Sequence, residues 1–149
     1  MSDRWEIANN RDPQDGLLYF DFDSGGWQTE GWESTDISSN LAGSLGYLDF
    51  KLDNKKGTIH KTRLQIRETN HQKSIAIKIK SNASLKILVA NDHGDLGSAE
   101  YSGNSSFEEV LIPFNKNTSL SGTKKLSISF FGNKNDLIEI DYIKQVKTK

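Results

Sequence analysis

Leu18-Tyr19-Phe20-Asp21-Phe22-Asp23, near the start of the chain, and Ile138-Glu139-Ile140-Asp141-Tyr142-Ile143, near its end, decide the fold. Both alternate apolar and polar residues, and both carry acids on the polar positions. A period of two is what a half-buried β-strand requires, because successive side chains point to opposite faces. Between these two ends the pattern repeats. Residues 45–52 put Leu48, Phe50 and Leu52 inward and Tyr47 outward. Residues 62–69 put Leu64 and Ile66 inward, residues 74–80 put Ile75, Ile77 and Ile79 inward, and residues 85–91 put Leu85, Ile87 and Val89 inward. Val110, Ile112 and Phe114 line one face of residues 107–114, and Leu126, Ile128 and Phe130 one face of residues 125–131. Strands at 17–23 and 137–146 complete the set. Clusters of Gly, Asn, Asp, Ser and Lys separate the strands at intervals of about ten residues, and no stretch has a helical period. The expectation is an all-β, two-sheet antiparallel β-sandwich closed by its own termini. It would form one domain over residues 17–149, with residues 1–16 as a lead-in or linker.

Composition narrows the function classes. A chain of 149 residues suits one domain with one core. An apolar fraction of 34% and a mean hydropathy of −0.63 suit a thin two-layer fold with wide polar faces. There is no cysteine, so disulfides and thiolate metal sites are excluded. No apolar run approaches the roughly 18 residues of a membrane helix, and no signal segment is visible. A piece of a longer secreted or cell-surface protein would show the same, and that is the localisation expected, with the domain a monomer. Net charge is −1, but residues 1–50 carry −8, residues 51–86 carry +8 and residues 87–149 carry −1.

Two loops and one charged block carry the chemistry. Residues 24–44 hold Trp27 and Trp32, and residues 91–106 form a long polar connection, a common place for function. An exposed aromatic ring packs on the C–H face of a sugar while nearby polar groups take its hydroxyls. Trp27 and Tyr101 are the stacking candidates. Asp92, His93, Asp95, Glu100 and Asn133 would bind hydroxyls, and Tyr47 could line a sheet face. Tyr142 and Phe131 read as packing residues. In the basic block, Arg63, Gln65 and Arg67 share one face of their strand, Lys78 and Lys80 face outward from theirs, and Lys86 lies opposite Leu85. If these strands share a sheet, Arg63, Arg67 and Lys78 belong to one cationic surface suited to a sulfated or uronate polysaccharide. The alternative is a solvated outer sheet. The sequence does not choose between the loops and the sheet face.

Other chemistries find little support. Metalloprotease, serine-elbow and phosphate-loop patterns are absent. His60 and His71 sit in flanking turns. Asp92, His93, Asp95 and Glu100 could be drawn as an acid/base set, but polar loops collect such residues by composition. Nucleic acid is not expected, because residues 62–86 contain no aromatic and the isoelectric point is near 6.3. Calcium takes six to eight oxygens. Asp21, Asp23 and Asp141 could converge on one if the terminal strands are neighbours, with Glu30 a further candidate.

The strand ending Phe22-Asp23, the turn with Gly25 and Gly26, Glu30-Gly31-Trp32, Gly43-Ser44-Leu45 and the last strand Ile140-Asp141-Tyr142-Ile143 resemble the galactose-binding-like jelly-roll carbohydrate-binding modules. These are accessory domains of secreted bacterial polysaccharide-degrading enzymes. The resemblance spans about residues 17–146. It implies a jelly roll without catalytic activity, a structural calcium near the termini with Asp141 among its ligands, an inward Trp32, and glycan binding in end loops or across a concave sheet. The reading that follows is a non-catalytic module that tethers a catalytic domain of the same chain to a polysaccharide. The alternative is a structural or interaction sandwich that steadies a neighbouring domain and binds no sugar.

Overall fold

The computed structural model describes residues 11–12, 17–22, 31–35, 47–64, 74–116, 118, 120 and 122–146. Its strands are β1 (Arg11–Asp12), β2 (Leu17–Phe20), β3 (Glu33–Thr35), β4 (Leu48–Lys51), β5 (Lys56–Lys61), β6 (Ser74–Ser81), β7 (Leu85–Asn91), β8 (Gly94–Tyr101), β9 (Asn104–Pro113), β10 (Leu126–Phe131) and β11 (Leu137–Val146). They build two antiparallel sheets. One runs β1-β2-β11-β6-β9, with β4 also paired to β11, and the other runs β3-β5-β10-β7-β8. The expected β-sandwich is what forms.

The ends of the chain meet as the opening pattern requires. The last strand takes β4 along its first half (Ile140 opposite Leu48) and β2 along its second (Ile143 opposite Phe20). Inward positions make one continuous core. Leu48, Phe50, Ile75, Ile77, Ile79, Ile87, Val89, Ile112, Ile128, Phe130, Ile138 and Ile140 all lose contact with solvent. Aromatic contacts tie the sheets together: Phe50 meets Phe130 at 5.6 Å, and Phe20 meets the buried Trp32 edge-on at 5.5 Å. Burying a side chain of this size contributes about 1.5–3 kcal/mol.

β1 pairs with β2 from within residues 1–16, expected as a lead-in, and β3 pairs with β5 from within the loop expected at 24–44. Two further strands depart more widely from the sequence reading. The first is β5, which occupies residues 56–61 instead of 62–69. Its inward positions are Gly57, Ile59 and Lys61, so one apolar residue carries the whole pattern. The strand places His60 opposite Glu33, not in a turn. Arg63 takes a left-handed backbone (φ 59°) just beyond the strand, and Leu64 is buried, while residues 65–70 lie outside those described.

The second is β8, which replaces most of the expected long loop at 91–106. A tight turn at Asp92-His93 connects it to β7. Its inward positions opposite Val89 and Ile87 are Gly97 and Ala99, too small to register as a hydrophobic alternation. Gly97 is small for a reason. A Cβ there would lie 2.2 Å from the Pro113 carbonyl oxygen, so β9 closes against the β8 edge only over a glycine. Leu96 is the extra residue of a bulge beside it, and its carbonyl accepts from the Asn115 N–H.

The basic block is divided by this topology. Lys78 and Lys80 stand on β6 in the six-stranded sheet. Arg63 follows β5, and Lys86 lies on β7, both in the five-stranded sheet. The condition for a single cationic surface, that these strands share a sheet, is therefore not met for Arg63, Lys78 and Lys86. The segment Asn82–Ser84 is a crossover between sheets, although its length would also suit a hairpin.

Candidate functional site

The outer face of the six-stranded sheet gathers aromatic and charged side chains that the strand registers place side by side. The sequence Ile138-Glu139-Ile140 sends Glu139 outward, and pairing sets it between Asp49 on β4 and Lys80 on β6. The Lys80 Nζ is 3.6 Å from a Glu139 oxygen, and the Glu139 side chain is only 13% exposed. Two residues along β6, outward again, Lys78 lies 3.8 Å from the Asp141 carboxylate and opposite Glu109 of β9. Such part-exposed pairs contribute little stability, of order 0–1 kcal/mol, but they fix the side chains and cancel charge across the face.

Tyr142 reaches this face because of a bulge. Ile140 pairs Ile79 and Tyr142 pairs Lys78, so Asp141 is an extra residue. Strict alternation would have turned Tyr142 into the core, which is how the sequence reads it. The bulge resets the pleat, sending Tyr142 outward and Ile143 inward. The Tyr142 hydroxyl donates to Glu109, and Lys144 and Lys78 lie over its ring at 4.7 and 5.9 Å. Phe131, also read as packing, ends β10 half-buried, with Lys56 5.4 Å over its ring.

At the level of Lys80 the face is bridged. Tyr47, just before β4, and Phe107 on β9 meet edge-on at 5.6 Å. Three strand spacings, about 14 Å, separate β4 from β9. The two rings therefore lean toward one another over β11 and β6, above the Lys80–Glu139 pair, with Lys80 5.6 Å from the Phe107 ring centroid. Desolvation raises the Tyr47 pKa, as do its hydrogen bond to Glu139 and the charges of Glu139 and Asp49. Asp49 is raised as well, first by burial and then by the neighbouring Glu139 charge.

The other residues singled out from sequence fall in several places. Tyr101 requires a correction: it is 3% exposed, its hydroxyl accepts from the Ser81 N–H at 3.0 Å and donates to the Ser81 carbonyl at 3.1 Å, and it offers no ring to a sugar. Asp92, His93 and Asp95 are exposed at the β7–β8 hairpin. There Asp92 accepts the Lys124 N–H. Partial desolvation pulls its pKa up, but N–H bonds from its own backbone, Lys124 and Lys125 outweigh this and hold it low. Glu100 projects beside Lys86 on the outer face of the five-stranded sheet, away from Asp92. Asn133 is in the β10–β11 turn, and Arg63 is exposed beyond β5. Tyr47, Lys78 and Asp141 come together on the face just described with Lys80, read from sequence as an outward member of the basic block, and with Phe107, Glu109, Glu139, Tyr142 and Lys144, which the sequence reading did not select as binding residues. Trp27, Arg67, Asp23 and Glu30 lie outside the described residues.

For calcium, the described ligand candidates are Asp21, at the end of β2, and Asp141, which faces Lys78. Among the described residues no group of three or more His, Asp or Glu side chains converges.

Solved structures of family 29 carbohydrate-binding modules share this architecture. A tyrosine-to-alanine variant of one such module superposes with a TM-score of 0.61 at 14% identity, over 87% of this chain and 91% of that one. A lysine-to-alanine variant complexed with cellohexaose gives 0.59 at 14% identity, over 88% and 92%. An aspartate-to-alanine variant complexed with mannohexaose gives 0.55 at 14% identity, over 77% and 81%. At such identities the likeness establishes the fold. No family model matches the chain, and no curated protein matches it.

Proposed function

We propose that this domain is a non-catalytic carbohydrate-binding module that holds a neutral glycan on the outer face of its six-stranded sheet. The observation that carries the reading is the set of aromatic rings and fixed polar groups on that face, on a fold whose solved neighbours are carbohydrate-binding modules. Tyr142 and the Tyr47–Phe107 pair supply ring surface for sugar C–H groups. Glu139, Lys80, Lys78, Asp141 and Glu109 supply donors and acceptors to hydroxyls, held by each other before any ligand arrives.

Charge pairing favours a neutral glycan over an anionic one. Lys78 and Lys80 each face a carboxylate, and Asp49 and Glu109 add further negative charge. A sulfate or uronate would compete with these partners. The module would serve a secreted or cell-surface enzyme by keeping a catalytic domain of the same chain near its polysaccharide, which raises local concentration without adding chemistry.

Affinity electrophoresis of the domain through gels containing neutral or anionic polysaccharides tests the reading. Retardation by a neutral glucan or mannan, unchanged by added salt, is expected. Retardation only by a sulfated or uronate polymer, lost in salt, would refute the neutral assignment. No retardation by any glycan would favour a structural sandwich.

A further inference from the structure

Past the Tyr47–Phe107 bridge the outer face runs into a cleft of about 450 Å³, set between the β6–β7 crossover and the β10–β11 turn. Lys80 and Glu139 belong to both, so the cleft continues the face. Its volume lies within the range of about 300–1,000 Å³ usual for small-molecule sites. Asn82, Asn135, Asp136 and Leu137 line the far side.

Two features give the cleft recognition chemistry. The side-chain amides of Asn82 and Asn135 are exposed and engage no other described group, so each keeps its two donors and its acceptor for a ligand. Leu137, 43% exposed, adds an aliphatic patch between them and the sheet. The turn that carries Asn135 is rigidly tied. Its N–H bonds the Leu52 carbonyl, the Asp136 carbonyl takes the Leu52 N–H, and the Asp136 carboxylate takes the Asn133 N–H at 2.7 Å. Asn135 itself sits at φ 73° within this lock. Exposed amides beside an aliphatic patch, one of them carried on a tied turn, match one pyranose ring, which presents hydroxyls at its rim and C–H bonds on its faces.

We infer that this cleft is a sugar subsite, taking one pyranose unit of a chain whose neighbouring units lie on the outer face. The inference rests on the glycan-binding reading above, and it extends the site beyond the aromatic bridge to the end of the sandwich.

Calorimetric titration with cellotriose, cellohexaose, mannotriose and mannohexaose tests it, using the wild type and the double variant Asn82→Ala/Asn135→Gly. Glycine keeps the left-handed backbone at 135, and thermal melting confirms that the variant is folded. The expected result is a hexaose affinity about tenfold lower in the variant with the triose affinity unchanged, as for the loss of one to two neutral hydrogen bonds. The side-chain amide NMR signals of Asn82 and Asn135 should shift with the hexaose and not with the triose. Unchanged hexaose affinity, or equal loss for both lengths, would overturn the subsite while leaving the glycan reading standing. Failure of the wild type to bind any of the four would overturn the glycan reading, and the subsite with it.

Discussion

Replacing Tyr101 by phenylalanine separates a core role from a sugar-binding role at one atom. The ring stays in a site 3% exposed, but the hydroxyl that bridges the Ser81 N–H and carbonyl is lost. Ser81 is itself 4% exposed and sits at an irregularity in the β6–β9 ladder, so water has little access to replace the bridge. A buried backbone group left unpaired costs about 1–3 kcal/mol. With the carbonyl better able to tolerate the loss than the N–H, the sum should be about 2–3 kcal/mol. For a domain near 150 residues that corresponds to a Tm fall of about 4–12 °C. Urea unfolding should show a lower midpoint with an unchanged slope, and glycan affinity of the folded variant should equal that of the wild type. A loss of stability below about 0.5 kcal/mol, or a loss of affinity with stability intact, would refute the buried placement and return Tyr101 to the binding surface.

Other sites give independent checks. Gly97→Ala forces a Cβ toward the Pro113 carbonyl and should destabilise by about 2–3 kcal/mol in urea unfolding, in line with other overpacking changes. Lys61 is 3% exposed, and burial, reinforced by Arg63 and partly offset by Glu33, holds its pKa below the usual 10.5. The unfolded chain then binds the proton more tightly than the folded one, so stability should rise with pH between the folded pKa and 10.5. Lys61→Met should remove that rise and increase stability at neutral pH by about 1 kcal/mol in denaturant titrations at several pH values. Asp49 has the opposite sign. Its raised pKa means that the folded state holds the proton more tightly, so Asp49→Asn should flatten a gain in stability that the wild type shows as pH falls through the carboxylate range.

How much of this was legible depended on what filled the inward positions. Where Ile, Leu, Val or Phe alternates, as in β4, β6, β7, β10 and the start of β11, strand and facing could be read directly. Where Gly57, Lys61, Gly97 and Ala99 take those positions, the period disappears and β5 and β8 were missed. Beyond the meeting of the terminal strands, sheet membership was not legible. Arg63, Lys78 and Lys86 are near in sequence but divided between sheets, because Asn82–Ser84 crosses the sandwich instead of forming a hairpin within one sheet. Outward Tyr47 and Lys78 followed from alternation. Glu139 carried the same signal between Ile138 and Ile140 but gained meaning only beside Lys80 and Tyr47. Tyr142 required knowledge of the bulge at Asp141, which has no local signature.

The most direct test of the central claim is to map binding by ¹⁵N NMR, titrating the domain with cellohexaose and with mannohexaose. The account expects perturbations on the six-stranded sheet around Tyr47, Lys78, Phe107, Glu139 and Tyr142, extending only into the adjoining cleft at Asn82 and Asn135, and abolished by Tyr142→Ala in a variant that still melts cooperatively. Perturbations centred instead on the five-stranded sheet, or on the Asp92-His93 hairpin, would contradict it.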